Sequence, residues 1–158
     1  MGHHGRRLAG WRLRRRGAAG RTGRGLAVSD NLLKMNARAD EREEFRRIFE
    51  QGIAQFNQEL FFETHETWEA IWLRAVEPER TRLQGLIQIA AAFHHYQHGN
   101  TTGAQRLLAS ALKKLENAPE NFLGIHLEKL RSAARQWLGE LERGGRPAKA
   151  SFPRIETA

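Results

Sequence analysis

The chain has 158 residues, 40% of them hydrophobic, which is enough to bury the core of one domain. It contains no cysteine, so disulfides, thiolate metal ligands and a cysteine nucleophile are excluded, and a reducing cytoplasm is the expected compartment. The formal charge of +8 suggests nucleic acid until it is divided along the chain: residues 1–34 hold nine Lys and Arg against the single acid Asp30, whereas residues 35–158 hold seventeen cationic and seventeen anionic side chains.

A nucleic-acid partner would therefore have to bind a basic tail and not a folded basic face, and it is set aside. Residues 1–34 are rich in Gly and Arg, lack a helical apolar stripe and read as a disordered basic leader. No apolar run is long enough for a signal-peptide core, so Arg6-Arg7 is not an export signal, and Ser is too sparse for a transit peptide. Met35 opens the patterned region and is read as the native start, with the leader as translated upstream sequence. His3-His4 is too short for a metal tract.

Five helical patterns follow. The first, Asp40 to Phe56, aligns Phe45, Ile48, Phe49, Gly52, Ile53 and Phe56 on one face, with acids crowding its first turn where the helix dipole favours them. After a break at Asn57 to Leu60 the second reads FFETHETWEAIWL, Phe61 to Leu73, and ends before Glu77-Pro78. The third runs from Glu79 to His98 and stops at Gly99-Asn100. Thr102 and Gln105 fit a capping box for the fourth, whose stripe is Ala104, Leu107, Leu108, Ala111, Leu112 and Leu115 before Pro119. The fifth carries Leu127, Leu130, Ala134, Trp137, Leu138 and Leu141 ahead of Gly144-Gly145. No segment alternates as a strand does, and none is apolar enough for a membrane span. The expectation is an all-α, single-domain bundle of about five helices built from helical hairpins, with a helical domain at 35–145 and a C-terminal tail at 146–158. Association into oligomers is left open.

On the second pattern, 3.6-residue winding puts Phe61, Phe62, His65, Trp68, Glu69, Trp72 and Leu73 in one stripe. An imidazole and a carboxylate one turn apart on an aromatic face need partners if they are to be buried. The third pattern supplies them. No Asp, Glu, Lys or Arg occurs from Leu83 to Gln105, so that helix should be enclosed on most sides, and Gln84, Gln88 and His95 share a stripe separated by the small Ala91 and Ala92. Gln88 and His95 are the expected partners of His65 and Glu69 in one shared polar cluster.

The succession Phe56-Asn57, FFExHExWE from Phe61, HxxxExxW as His65, Glu69 and Trp72, LQGLIQIAAAFHH from Leu83 to His95, and GNxxGA from Gly99 to Ala104 resembles the bacterial and archaeal family called domain of unknown function 309. The resemblance runs from about Arg42 to Leu115, with a weaker match in the fifth helix. It implies an all-α fold. It nominates His65, Glu69 and Trp72 as functional, in a motif suggested to bind metal, with Glu66 and His95 also at family-like positions. His126 stands where the family commonly has an acidic cap, and the leader has no counterpart.

Other motif matches fail on residue type. His65-Glu66 begins like HExxH, but Glu69 replaces the second histidine, so this is not a zincin. A di-iron bundle needs Glu-x-x-His on two helices, and the third pattern contains no Glu between Leu83 and His98. GNTTGA and QELFFE echo tetratricopeptide turns, yet two loose copies make hairpin turns and not a solenoid. Three readings remain open. In one, the cluster is a structural polar network. In another, His65, Glu69 and His95 hold a divalent ion suited to zinc, manganese or iron, lined by Glu66, Trp72 and Gln88. In the third, the chain offers a small-ligand pocket or a helical protein-interaction surface, the last with a large exposed apolar patch.

Overall fold

The protein is described from a computed structural model at residues 39–158; the leader and the start at Met35 lie outside the described residues. Five α-helices follow one another: α1 Ala39–Asn57, α2 Phe61–Trp72, α3 Glu79–Gln97, α4 Thr101–Leu115 and α5 Leu127–Glu142. Short 3-10 turns lie at Phe122–Gly124 and Lys149–Ser151, and a single bridge joins Ile125 to Thr157. Among the described residues there is no other strand pairing, and the fold is all-α as the sequence implies.

Each helix packs on the next, so α1–α2 and α3–α4 are hairpins and α2–α3 joins them. The uncharged run makes α3 the centre: Leu83, Leu86, Ile87, Ile89, Ala90, Ala92 and Phe93 are almost wholly buried. Gly85 lets α4 approach, since a Cβ there would stand 2.7 Å from Leu115 Cγ. α1 presents Phe45, Phe49, Gly52, Ile53 and Phe56 to the core, with Asp40 and Glu41 in its first turn.

The buried face of α2 is rotated from the sequence expectation. Thr64 and Ile71 are buried with Phe61, His65, Trp68 and Trp72, while Phe62 and Glu69 are half-buried and Leu73 is 46% exposed. Two neighbours claim the helix. α1 takes the Thr64–Trp68 side, where the Trp68 indole stacks on Phe49 at 5.3 Å and its Nε1–H donates to the Phe49 carbonyl at 3.1 Å. α3 takes Phe61, whose ring lies 5.4 Å from Phe93.

α2 ends at Trp72, before Glu77-Pro78 as the sequence implies, and the Glu77 carboxylate turns to accept from Thr81 N–H at 2.9 Å, closing the start of α3. The cap of α4 is Asn100, whose Oδ1 accepts from Gly103 N–H at 2.8 Å, and not the Thr102–Gln105 box. At α5 the His126 side chain makes no cap bond, and Glu120 Oε1 accepts from Glu128 N–H at 2.7 Å in its place.

The stretch 146–158, which carries no periodic pattern, lies against the helices. Phe152 is 7% exposed and stacks on Trp137 at 4.9 Å, with Phe61, Phe93 and Tyr96 around it. Asn57, the last residue of α1, grips Ile155 twice: Nδ2–H donates to its carbonyl at 3.0 Å and Oδ1 accepts from its N–H at 2.7 Å.

Candidate functional site

α2 and α3 run antiparallel, and their register is fixed at three levels. Phe62 meets His94 at 5.5 Å, Phe61 meets Phe93, and the Arg80 guanidinium sits over the Trp72 ring at 4.2 Å. Gln97 Nε2–H also donates to the Glu59 carbonyl at 3.2 Å. This register sets Gln88 opposite the turn that carries His65 and Glu69.

On that turn, His65, Glu66 and Glu69 each offer a ligand atom, and these atoms lie within 4.8 Å of one another. His65 is 5% exposed, and its Nδ1 stands 3.3 Å from Glu66 Oε2. The side chain of Glu66 is 57% exposed and Glu69 is half-buried, so the cluster opens from a buried imidazole outward to solvent. Phe62 stacks beside His65 at 6.2 Å and walls one side. Two buried polar atoms nearby in the register, Trp72 Nε1 and Gln88 Oε1, make no hydrogen bond among the described residues. An indole donor and an amide acceptor left in this way call for water or a ligand.

His95 is held differently. Asn100 Oδ1 already accepts from Gly103 N–H, so its Nδ2 is the donor that meets His95 Nδ1 at 2.8 Å. His95 Nδ1 therefore accepts, and the neutral ring carries its proton on Nε2. Burial, followed by the nearby His98, pushes the His95 pKa down, which favours that neutral form. Gly103 is what allows the fit, because a Cβ there would stand 2.7 Å from His95 Nδ1 and 2.6 Å from Asn100 Nδ2.

Of the residues read from sequence, His65, Glu66 and Glu69 come together, Trp72 is buried one turn on, and Gln88 faces the same level. His95 is engaged by α4. The helical wheel put Glu66 at the edge of the face, but its side chain reaches back to the imidazole, a freedom that a wheel does not represent. Asn100 and Gly103 escaped sequence reasoning as parts of the site, although both lie within the GNxxGA motif.

Comparison with known proteins places the chain beside others. The model of the family described as domain of unknown function (DUF309) matches residues 49–107, from the middle of α1 to the middle of α4. A protein of Aquifex aeolicus (strain VF5), described as an uncharacterized protein, is 34% identical over 88 residues, which is 55% of this chain and 26% of that one. Uncharacterized protein YpuF of Bacillus subtilis (strain 168) is 39% identical over 57 residues, 35% of this chain and 33% of that one. The chain thus spans about a quarter to a third of these relatives. The family match contains the segment that carries HxxxExxW, His65 to Trp72.

Proposed function

For a chain whose residues 49–107 match domain of unknown function 309, we propose that His65, Glu66 and Glu69 hold a divalent metal ion and that the helices serve as its scaffold. The observation that carries this reading is the convergence of three ligand atoms within 4.8 Å, one from a buried imidazole and two from carboxylates that reach solvent. One nitrogen and two carboxylates suit manganese, ferrous iron or zinc, and they leave positions open. His65 and Glu69 are the ligands fixed by the helix itself, since i and i+4 share a face, and Glu66 is the third.

His95 is assigned a supporting place. Ligation through its Nε2 would require the other tautomer, which would set an Nδ1–H against the Asn100 amide N–H. Gln88 Oε1 accepts from, and Trp72 Nε1–H donates to, whatever occupies the space beside the ligands. When bound, the ion supplies Lewis acidity at its open positions. Among the described residues no helix is long and apolar enough to cross a membrane, and with no cysteine in the chain the cytoplasm is the proposed setting.

The interaction-surface reading is less well supported, because the only large hydrophobics exposed among the described residues are Leu60 and Leu73, at opposite ends of α2. Metal analysis of protein purified without a His tag tests the proposal. The expected result is one ion per chain, lost in Glu69→Gln and in the exposed Glu66→Gln, neither of which threatens the core. Substoichiometric metal in the parent, with Glu69→Gln destabilised by about 1–3 kcal/mol, would instead mark the cluster as a structural network.

A further inference from the structure

We propose that His94, in the last turn of α3, and His98, the residue that caps it, form a second metal site, separate from His65, Glu66 and Glu69, and selective for borderline transition ions, copper(II) above nickel(II) or zinc(II). The two histidines are four residues apart, so they project from one face of the helix. Their ring centroids are 4.3 Å apart with planes inclined at 46°, so the two rings are close enough for one ion to span them.

The tautomer of His98 is set by its neighbour. His98 Nδ1 lies 2.9 Å from the His94 carbonyl oxygen. A carbonyl can only accept, so Nδ1 carries the proton and the lone pair is on Nε2. Imidazole ligands of metals are oriented in this way, with the second ring nitrogen donating to a backbone carbonyl. The ring of His94 is steadied by Phe62 at 5.5 Å. His98 is exposed and His94 half-buried, so an ion reaches the pair from solvent.

The two sites differ in chemistry. The close metal-ligand grouping found among the described residues is the carboxylate-rich one at His65, which suits manganese or iron, whereas a pair of imidazole ligands ranks ions by nitrogen affinity and discriminates against magnesium and calcium. Phe62 stands between the sites, stacked on His65 at 6.2 Å on one side and packed on His94 on the other. Two different ions would thus be held on either side of one phenyl ring. The reading does not depend on whether the His65 cluster binds metal.

The test is a copper(II) titration of the full chain followed by electron paramagnetic resonance. His3 and His4 are both replaced by Ala in every sample, because an amino terminus with histidine at position 3 chelates copper by itself. A copper signal with the hyperfine pattern of two imidazole nitrogens should account for one equivalent, beside any copper held by the His65 cluster. His98→Ala, at an exposed position, should weaken that binding by at least about tenfold and leave one imidazole. Glu69→Gln should leave it unchanged. A two-imidazole copper signal that is indifferent to His98→Ala, or that is lost in Glu69→Gln, overturns the proposal.

Discussion

Trp68 shows how tightly single residues specify this protein. A Cβ on Gly52 would fall within the van der Waals shell of the Trp68 Nε1 and Cδ1 atoms, and the same indole bonds the Phe49 carbonyl. We expect Gly52→Ala to cost at least about 1–3 kcal/mol by overpacking. In a Trp68→Ala background the cost should shrink, because the indole Nε1, Cδ1 and Cε2 atoms that face Gly52 are gone. A double-mutant cycle by chemical denaturation measures this coupling, and simple additivity would contradict it. His95 yields a second expectation. Long-range proton–nitrogen correlation should find the proton on Nε2 in the parent and on Nδ1 in Asn100→Asp, whose second carboxylate oxygen can only accept. Finding the Nδ1–H tautomer in the parent would contradict the hydrogen-bond assignment. The His65–Glu69 pair was legible in the sequence because i, i+4 geometry is local. The partner of His95 was not, since it depends on how closely α4 approaches at Gly103.

Helix ends repeat a single device. In the turn after α1, Leu60 N–H donates to the Gln55 carbonyl at 2.9 Å and Glu59 N–H to Phe56 at 2.8 Å. After α3, Asn100 N–H donates to His95 at 2.9 Å and Gly99 N–H to Tyr96 at 3.0 Å, and Gly144-Gly145 closes α5 in the same way. The left-handed residue is Gly99 or Gly144 in two of these turns but Glu59, at φ 64°, in the first. The next helix then starts on Asn100 with a side-chain cap, but on Leu60 without one. Replacing Glu59-Leu60 by Gly-Asn should therefore stabilise the protein by about 1–2 kcal/mol, through relief of the backbone and a new N-cap. An unchanged or lower denaturation midpoint would refute this. The echo between QELFFE and GNTTGA was visible in the sequence, as were all five helices. The rotation of α2 was not, because periodicity reports that a face is apolar but not that two neighbours divide it.

At the scale of the whole molecule, the core is completed by residues that sequence patterning assigned to a tail. Phe152 and Ile155 are too few and too irregularly spaced to register as periodic, yet Phe152 fills the space among Phe61, Phe93, Tyr96 and Trp137. Tyr96 OH donates to the Pro147 carbonyl at 2.5 Å, and Trp137 Nε1–H donates to the Ser151 carbonyl at 3.3 Å. Phe152→Ala should cost about 3–5 kcal/mol, as for other buried aromatics, read from the shift of the unfolding curve. A loss below about 1 kcal/mol would mean that the segment rests on the helices without closing the core.

The grip of Asn57 on Ile155 joins positions 98 residues apart, whereas each helix otherwise packs chiefly on its neighbour in the chain. Contacts of short sequence separation form early because little loop entropy opposes them, and a bond across so long a stretch waits until the intervening helices have drawn its ends together. The two hairpins can therefore assemble before the strap closes over Phe61 and Trp137. In the native state the order reverses. We therefore expect the strap to open first, exposing the aromatic centre next to α2 while the helices remain intact, and hydrogen exchange should find the Ile155 amide less protected than those of α3.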